Sequence, residues 1–247
     1  MAEPTRPGNA AAMNALNARL SARGLDPVEP GPVEDAPRPD EPGHPEYHRQ
    51  QRAELALSRW TAATPPRYQR AEATHPGITT WAAGVADDPD NARSLVITGT
   101  TGTGKTHQAY GALRLIAASG PPNFQMIAMT SADMYGDLRP SGAAGAAEHR
   151  LRQLCEIPLL LLDDLGSAKA SEWTEEITYR LINQRYNHCR PTIFTSNLPP
   201  RADRDNHGRP LGPDLTSALG ERIVSRLAEM ADVVPMTGVD RRRPKAA

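Results

Sequence analysis

An α/β fold, a parallel sheet layered between helices, is what this sequence of 247 residues predicts, and three observations predict it. Beyond Ser94 short apolar runs alternate with stretches of helical periodicity, the rhythm of βαβ units. One run, 159–162, is apolar without a break, as a strand covered on both faces must be. A glycine-rich turn at 99–106 joins an apolar run to a helical one.

The elements follow in order. Strands are expected at 95–98, 124–129, 158–163, 192–195 and 232–235, and helices between and around them at 104–118, 148–155, 172–189 and 217–230. In the last helix Leu219, Ile223, Leu227 and Met230 make one apolar stripe. The stretch 198–213, with four prolines, reads as a surface loop. Upstream, residues 1–46 hold nine prolines and eight acidic side chains, a composition that cannot bury a core of its own. Within them 10–23 has Met13, Leu16 and Leu20 at helical spacing and Gly24 as a stop, which suits either a docking helix or a frayed helix in a solvated tail. A further helix is expected at 46–62, ending before Pro65 and Pro66. The domain plan is therefore a proline-rich tail (1–46), a helical linker suited to docking a partner (47–90) and the α/β domain (91–247).

Composition narrows the function. Apolar residues at 38% plus 19 glycines exclude a wholly disordered chain. Twenty-eight basic against 29 acidic residues give a net charge of -1, so no global field draws the chain to nucleic acid, and any such binding must be local. Arginine far outnumbers lysine, which fits a GC-rich coding bias and weakens arguments from arginine counts. Cys155 and Cys189 lack metal or disulfide spacing, and no apolar run is long enough to cross a membrane. The expectation is a cytoplasmic protein with no membrane partner.

The chemistry begins at Gly99-Thr100-Thr101-Gly102-Thr103-Gly104-Lys105-Thr106, the GxxxxGK[ST] phosphate loop. Its glycines let successive N–H groups converge on phosphate oxygens at a helix N-terminus. Lys105 would reach the β and γ phosphates, and Thr106 would offer its hydroxyl oxygen to Mg²⁺. Asp163 and Asp164 close an apolar strand at the edge where open α/β sheets bind ligands. Asp163 suits the Mg²⁺ shell and Asp164 an attacking water, so the pair favours hydrolysis over binding alone. Asn197, ending the strand at 192–195, is neutral and two-headed, able to donate to a γ-phosphate and accept from water, though an asparagine also ends strands without a role. Arg222 and Arg226, four apart, form a cationic row that is either an arginine finger offered to a neighbouring subunit or a solvated face. The run Arg241-Arg242-Arg243-Pro244-Lys245 is a basic patch or a solvated terminus.

Taken in sequence, the phosphate loop with His107, Asp163-Asp164-Leu165-Gly166, the segment Ile182 to Tyr186, Thr195-Ser196-Asn197 and the segment Gly220 to Leu227 resemble AAA+ ATPases of the DnaC/IstB type, bacterial helicase loaders and transposition helpers. The resemblance spans about 65–242. It implies a P-loop NTPase sheet of five parallel strands without a C-terminal helical lid. It also implies Walker A at Gly99–Thr106 with His107 beside it, Walker B at Asp163 and Asp164, and sensor 1 at Asn197. The trans finger would be Arg226, helped by Arg222, with Arg242 loosely matching sensor 2. ATP and Mg²⁺ are the implied cofactors. The implied partners are other copies of the chain, single-stranded DNA, and a replicative helicase docked by the N-terminal region. Tyr135 and Arg139, after the second strand, are the implied DNA contacts or else a surface turn. Asp164 stands where many relatives carry glutamate. Two other readings remain open: a transposase helper, and a small-molecule kinase using Arg201, Arg204 and Arg209 as a lid.

Overall fold

The structure, a computed structural model, describes residues 7–27, 37–139, 145–203, 205–238 and 240. It divides into two compact units, residues 1–47 and 48–247. In the first, α1 (Pro7–Ser21) starts three residues earlier than the apolar spacing indicated, because proline at the first helical position costs no hydrogen bond. It ends at Ser21, two residues short of the expected 23, and by Gly24 the chain has turned, the amides of Gly24 and Leu25 bonding back to the carbonyls of Ser21 and Leu20. Leu16 of the anticipated stripe is 46% exposed.

The expected linker at 47–90 is not a unit of its own. From His48 onward α2 (Pro45–Ala63) belongs to the same body as the sheet. It buries Ala56 and Trp60, and Trp60 donates to the Tyr110 carbonyl at 3.2 Å. Arg52 and Arg59 hold the carbonyls of Gly120 and Phe124, both at 3.0 Å. A short 3-10 turn (Pro66–Tyr68) and α3 (Pro76–Asp87) complete this layer. The strand-and-helix rhythm beyond Ser94 gave no hint of α3. Its Gly77, Ile78, Thr79 and Thr80 are poor helix formers, yet Pro76 and a His75 cap start it, and burial of Ile78, Trp81, Ala82 and Val85 holds it.

Five parallel strands follow, in the order β2-β3-β4-β1-β5: β1 (Ser94–Thr98), β2 (Met126–Thr130), β3 (Leu159–Asp163), β4 (Thr192–Ser196) and β5 (Ala231–Pro235). All five lie within two residues of their expected places. Alternation along the central strands sends Leu95, Ile97, Leu161 and Ile193 to one face, and Val96, Leu160, Leu162 and Phe194 to the other. The first face is covered by α3 and α4 (Lys105–Ala118), the second by α5 (Ser131–Leu138), α6 (Ala146–Glu156), α7 (Glu172–Asn187) and α9 (Glu221–Met230). Each of these apolar side chains, fully buried, contributes about 1.5–3 kcal/mol.

Two helices depart from expectation. The single helix expected at 217–230 is broken at Gly220, whose φ of +89° no helix accommodates, into α8 (Leu215–Leu219) and α9. A Cβ there would lie 2.8 Å from Glu175 Oε1. The second departure is α5, which follows β2 without a loop because Thr130 caps it by accepting from the Asp133 amide at 3.0 Å. Its face of Ser131, Met134, Tyr135 and Leu138 is buried.

One side chain ties the base of the sheet together. Arg185 of α7 is 0% exposed and donates to the carbonyls of Leu154 (2.8 Å), Ile157 (2.8 Å) and Pro191 (3.0 Å) and to Thr192 Oγ1. Burial pushes its pKa down to about 9, and its planar fork of donors does what a lysine could not.

Candidate nucleotide site

The loop after β1 needs glycine at two points for want of space. A Cβ on Gly99 would lie 2.1 Å from the Met236 carbonyl, and one on Gly102 would lie 1.8 Å from Asp240 Oδ1. Both also have positive φ, at +141° and +86°. Gly104, at φ +98°, leads into α4 and presents its N-terminus to the loop. Lys105 is 7% exposed and folds over the loop, donating to the carbonyls of Gly99 (2.8 Å) and Thr100 (2.9 Å) and to Asn197 Oδ1 (2.8 Å). Thr101 reaches the same Asn197 oxygen at 3.4 Å, and Thr103 is buried with its hydroxyl on the Thr100 carbonyl at 2.9 Å.

Strand order decides what meets this loop. With β4 between β1 and β3, Asn197 stands between the lysine and the two carboxylates, and it spans them. Its amide nitrogen donates to Asp164 Oδ1 at 2.7 Å while its oxygen accepts from Lys105. Asp163 accepts from the Thr106 hydroxyl at 3.0 Å and from Thr195 Oγ1. Burial pushes the Asp163 carboxyl above its ordinary value, the two hydroxyls oppose that, and Asp164 adds to it. Asp164 takes a left-handed backbone conformation, φ +61°, which a short polar side chain tolerates best. The turn is pinned by its neighbours: the Asp164 amide donates to Thr195 Oγ1 at 3.0 Å, and the hydroxyls of Ser131 and Ser167 donate to the Asp164 carbonyl at 2.9 and 2.8 Å. Strain of this kind at a strand end is typical of a working site.

The cavity here measures about 570 Å³, within the range of small-molecule sites. Beyond the loop and carboxylates it is walled by Arg67, Tyr68, Arg70, Glu72 and Thr74, which motif reading missed. Tyr68 stacks on Tyr110, centroids 4.7 Å apart, and meets His107 edge-on at 5.7 Å. Gln108 holds this wall in place by accepting from the amides of Thr74 (2.9 Å) and His75 (3.0 Å). The only sequence hint was an aromatic residue among charges. Among the described residues no group of three or more His, Cys, Asp or Glu side chains could hold a metal. One hydroxyl and one carboxylate, Thr106 and Asp163, nevertheless fit Mg²⁺, which takes few protein oxygens and completes its shell with water and phosphate.

Other anticipated residues lie elsewhere. Arg222 and Arg226 line a separate groove of about 730 Å³ with Tyr179 and Arg201, away from their own chain's loop. Tyr135, expected as a DNA contact, is 6% exposed, with its hydroxyl 2.6 Å from Thr178 Oγ1. Its place on the inner face of α5 leaves no ring face for a base. Arg139, just past α5, is exposed. Arg242 and the basic run around it lie outside the described residues, as does Arg204.

Residues 83–246, covering the loop, both carboxylates and the arginine helix, match the family described as IstB-like ATP binding protein. The chain belongs to that family. Its AAA+ architecture is that of the DnaC helicase loader crystal structure, matched with TM-score 0.58 at 26% identity over 70% of this chain and all of that one. The DnaI structure shares the fold at TM-score 0.55 and 21% identity, over 74% of this chain and all of that one. Among curated relatives, the replicative helicase loader DnaC of Buchnera aphidicola subsp. Acyrthosiphon pisum is 27% identical over 141 residues, 56% of this chain and 51% of its own. An ATP-binding protein of insertion sequence IS5376 from Geobacillus stearothermophilus is 29% identical over 108 residues, 44% of this chain and 41% of its own. The chain thus spans about half the length of the curated relatives it matches.

Proposed function

We propose that this chain is an ATP-hydrolysing loader that places a replicative helicase on single-stranded DNA. The observation that carries the ATPase part is the bridge at Asn197, one amide joining the loop lysine to the strand-end carboxylate. In use, Lys105 exchanges the Gly99 and Thr100 carbonyls for β and γ phosphate oxygens, and Tyr68, Arg70 and His107 bound the base side of the cavity. Thr106 and Asp163 are the residues that would hold Mg²⁺, which would supply neutralisation of the phosphate charge. Asp164 orients the attacking water from its pinned turn, and Asn197 reports on the γ position. Arg226, remote from its own loop, completes the site of a neighbouring copy, so turnover depends on assembly.

The loader role is supported by the match to the DnaC loader structure over 70% of this chain and by the helicase-loader relatives. The N-terminal unit and α2 are the proposed helicase contact, and exposed Arg139 remains the candidate for DNA. A transposition helper is the second reading, favoured by the insertion-sequence relative. The kinase reading loses support, since Arg201 pairs with Glu221 at 3.3 Å and lines the arginine groove, not the nucleotide cavity. Size-exclusion co-elution of the full chain with the replicative helicase of its own organism, with ATP and Mg²⁺ present, tests the proposal. A stable complex is expected. No complex in any nucleotide state overturns the loader reading, and binding to a transposase of the same organism instead favours the helper.

A further inference from the structure

The arginines of α9 are not loose on a solvated face. Each lies over a tyrosine of α7: the Arg222 guanidinium is 4.2 Å from the Tyr179 ring centre, and that of Arg226 is 4.6 Å from Tyr186. The two tyrosines are seven residues apart, so they share one stripe of α7 two turns apart. At Arg226 a third group joins. Glu229 accepts from Arg226 Nη1 at 3.3 Å through one oxygen, while its other oxygen accepts from the Tyr186 hydroxyl. That hydroxyl bond to Glu229 is also the main reason the Tyr186 phenol is harder to ionise than usual. Ring, carboxylate and guanidinium thus form a closed triangle.

Such an arrangement has a specific use. An arginine on a flexible stem loses rotamer freedom when it grips a phosphate, and a side chain already held by its own subunit loses less. A ring face fixes the plane of the guanidinium without using any of its N–H groups. A single-oxygen carboxylate contact fixes the rotamer and uses one.

We infer that Tyr186 and Glu229 are positioning residues for Arg226, holding its fork ready for the triphosphate of a second copy of this chain. The inference rests on the assignment of Arg226 as a finger acting in trans. The bland competitor is a helix staple, in which the triangle only binds α9 to α7.

The test uses the full-length chain with ATP and Mg²⁺, measuring turnover per subunit against protein concentration, KM for ATP, and Tm. Arg226→Ala removes the concentration-dependent rise in turnover. Tyr186→Leu lowers the assembled kcat by about tenfold, less than the ~10²-fold of a 1 Å misplacement because Glu229 still holds the guanidinium, with KM for ATP and the dilute-protein turnover unmoved. Tyr186→Trp, which keeps an aromatic face, restores most of the rate. Glu229→Gln, on a side chain 55% exposed and so harmless to folding, lowers kcat by a smaller factor. Full assembled turnover in Tyr186→Leu and Glu229→Gln, with Arg226→Ala inactive, overturns the positioning role and leaves the finger standing. A Tyr186→Trp rate as low as that of Tyr186→Leu, with Tm lowered in both, also overturns it in favour of the staple. An unchanged rise in Arg226→Ala removes the finger itself, and this inference with it.

Discussion

The nucleotide rim and the arginine helix face are built on opposite principles. At the rim the three ionisable groups of the motifs are already engaged within the site: Lys105 with two loop carbonyls and Asn197, Asp163 with two hydroxyls, Asp164 with the Asn197 amide. On α9 the cations rest on aromatic rings and a single exposed carboxylate, with Arg226 34% exposed. One face is a self-consistent network that awaits a polyanion. The other is a cation held on a ring and by one exposed carboxylate. The contrast teaches that the two faces are built for different work, and under the function proposed above they meet only between copies.

The largest blow to the first face is Lys105→Ala. Losing two charge-assisted bonds to phosphate should cost about 3 kcal/mol, a fall in ATP affinity on the order of 100-fold by calorimetry; near-normal heat would show that the network is not a phosphate site. Asp164→Asn should leave ATP affinity within about twofold but cut turnover by about 10²–10⁴, read as retained binding with lost phosphate release. Mixing separates the two faces directly: Lys105→Ala and Arg226→Ala chains, each inactive alone, should together recover part of the wild-type turnover, because one lends its arginine and the other its loop. A dead mixture would mean that both faces act within one chain.

The smallest effect concerns stability. Burial raises the Asp163 pKa above the ordinary 3.8 in the folded chain, so the charged form is the disfavoured one. Stability from this group therefore falls as pH rises through the window above 3.8 and returns on acidification. Asp163→Asn should raise Tm at neutral pH by about 2–4 °C, the shift that ~1 kcal/mol produces in a domain of this size. No rise, or a fall, would show that the two hydroxyl bonds outweigh burial.

What could be read beforehand was local. The phosphate loop, the strands and the carboxylate pair announce themselves within a few residues, through glycine spacing and unbroken apolar runs. Asn197 was legible as a residue but not as a bridge, since its double contact exists only because β4 lies between β1 and β3. Tyr68 and Gln108 wall the cavity through contacts across some forty residues of chain, and no short motif encodes those. Arg185 looked like one more arginine in an arginine-rich chain, because nothing in its neighbourhood signals a guanidinium surrounded by carbonyls. Tyr135 was expected at the surface because the resemblance put DNA contacts after the second strand, where the alternative was a surface turn. The pattern of Ser131, Met134, Tyr135 and Leu138 is nonetheless a helical face, and the sheet claimed it. The linker at 47–90 misled for the converse reason: its prolines punctuate the chain without separating it from the core.

Just past β5 the chain turns under the phosphate loop. The Met236 amide donates to the Thr98 carbonyl at 2.7 Å, and Met236 and Asp240 fill the space that side chains at positions 99 and 102 would need. This stretch is a shelf on which the first turn of the loop rests, supplied by residues far from any motif. A fragment trimmed at Pro235 would keep the phosphate loop, both carboxylates, Asn197 and Arg226 and still lose that support. The shortest piece of this polypeptide worth purifying for nucleotide work therefore extends beyond residue 240.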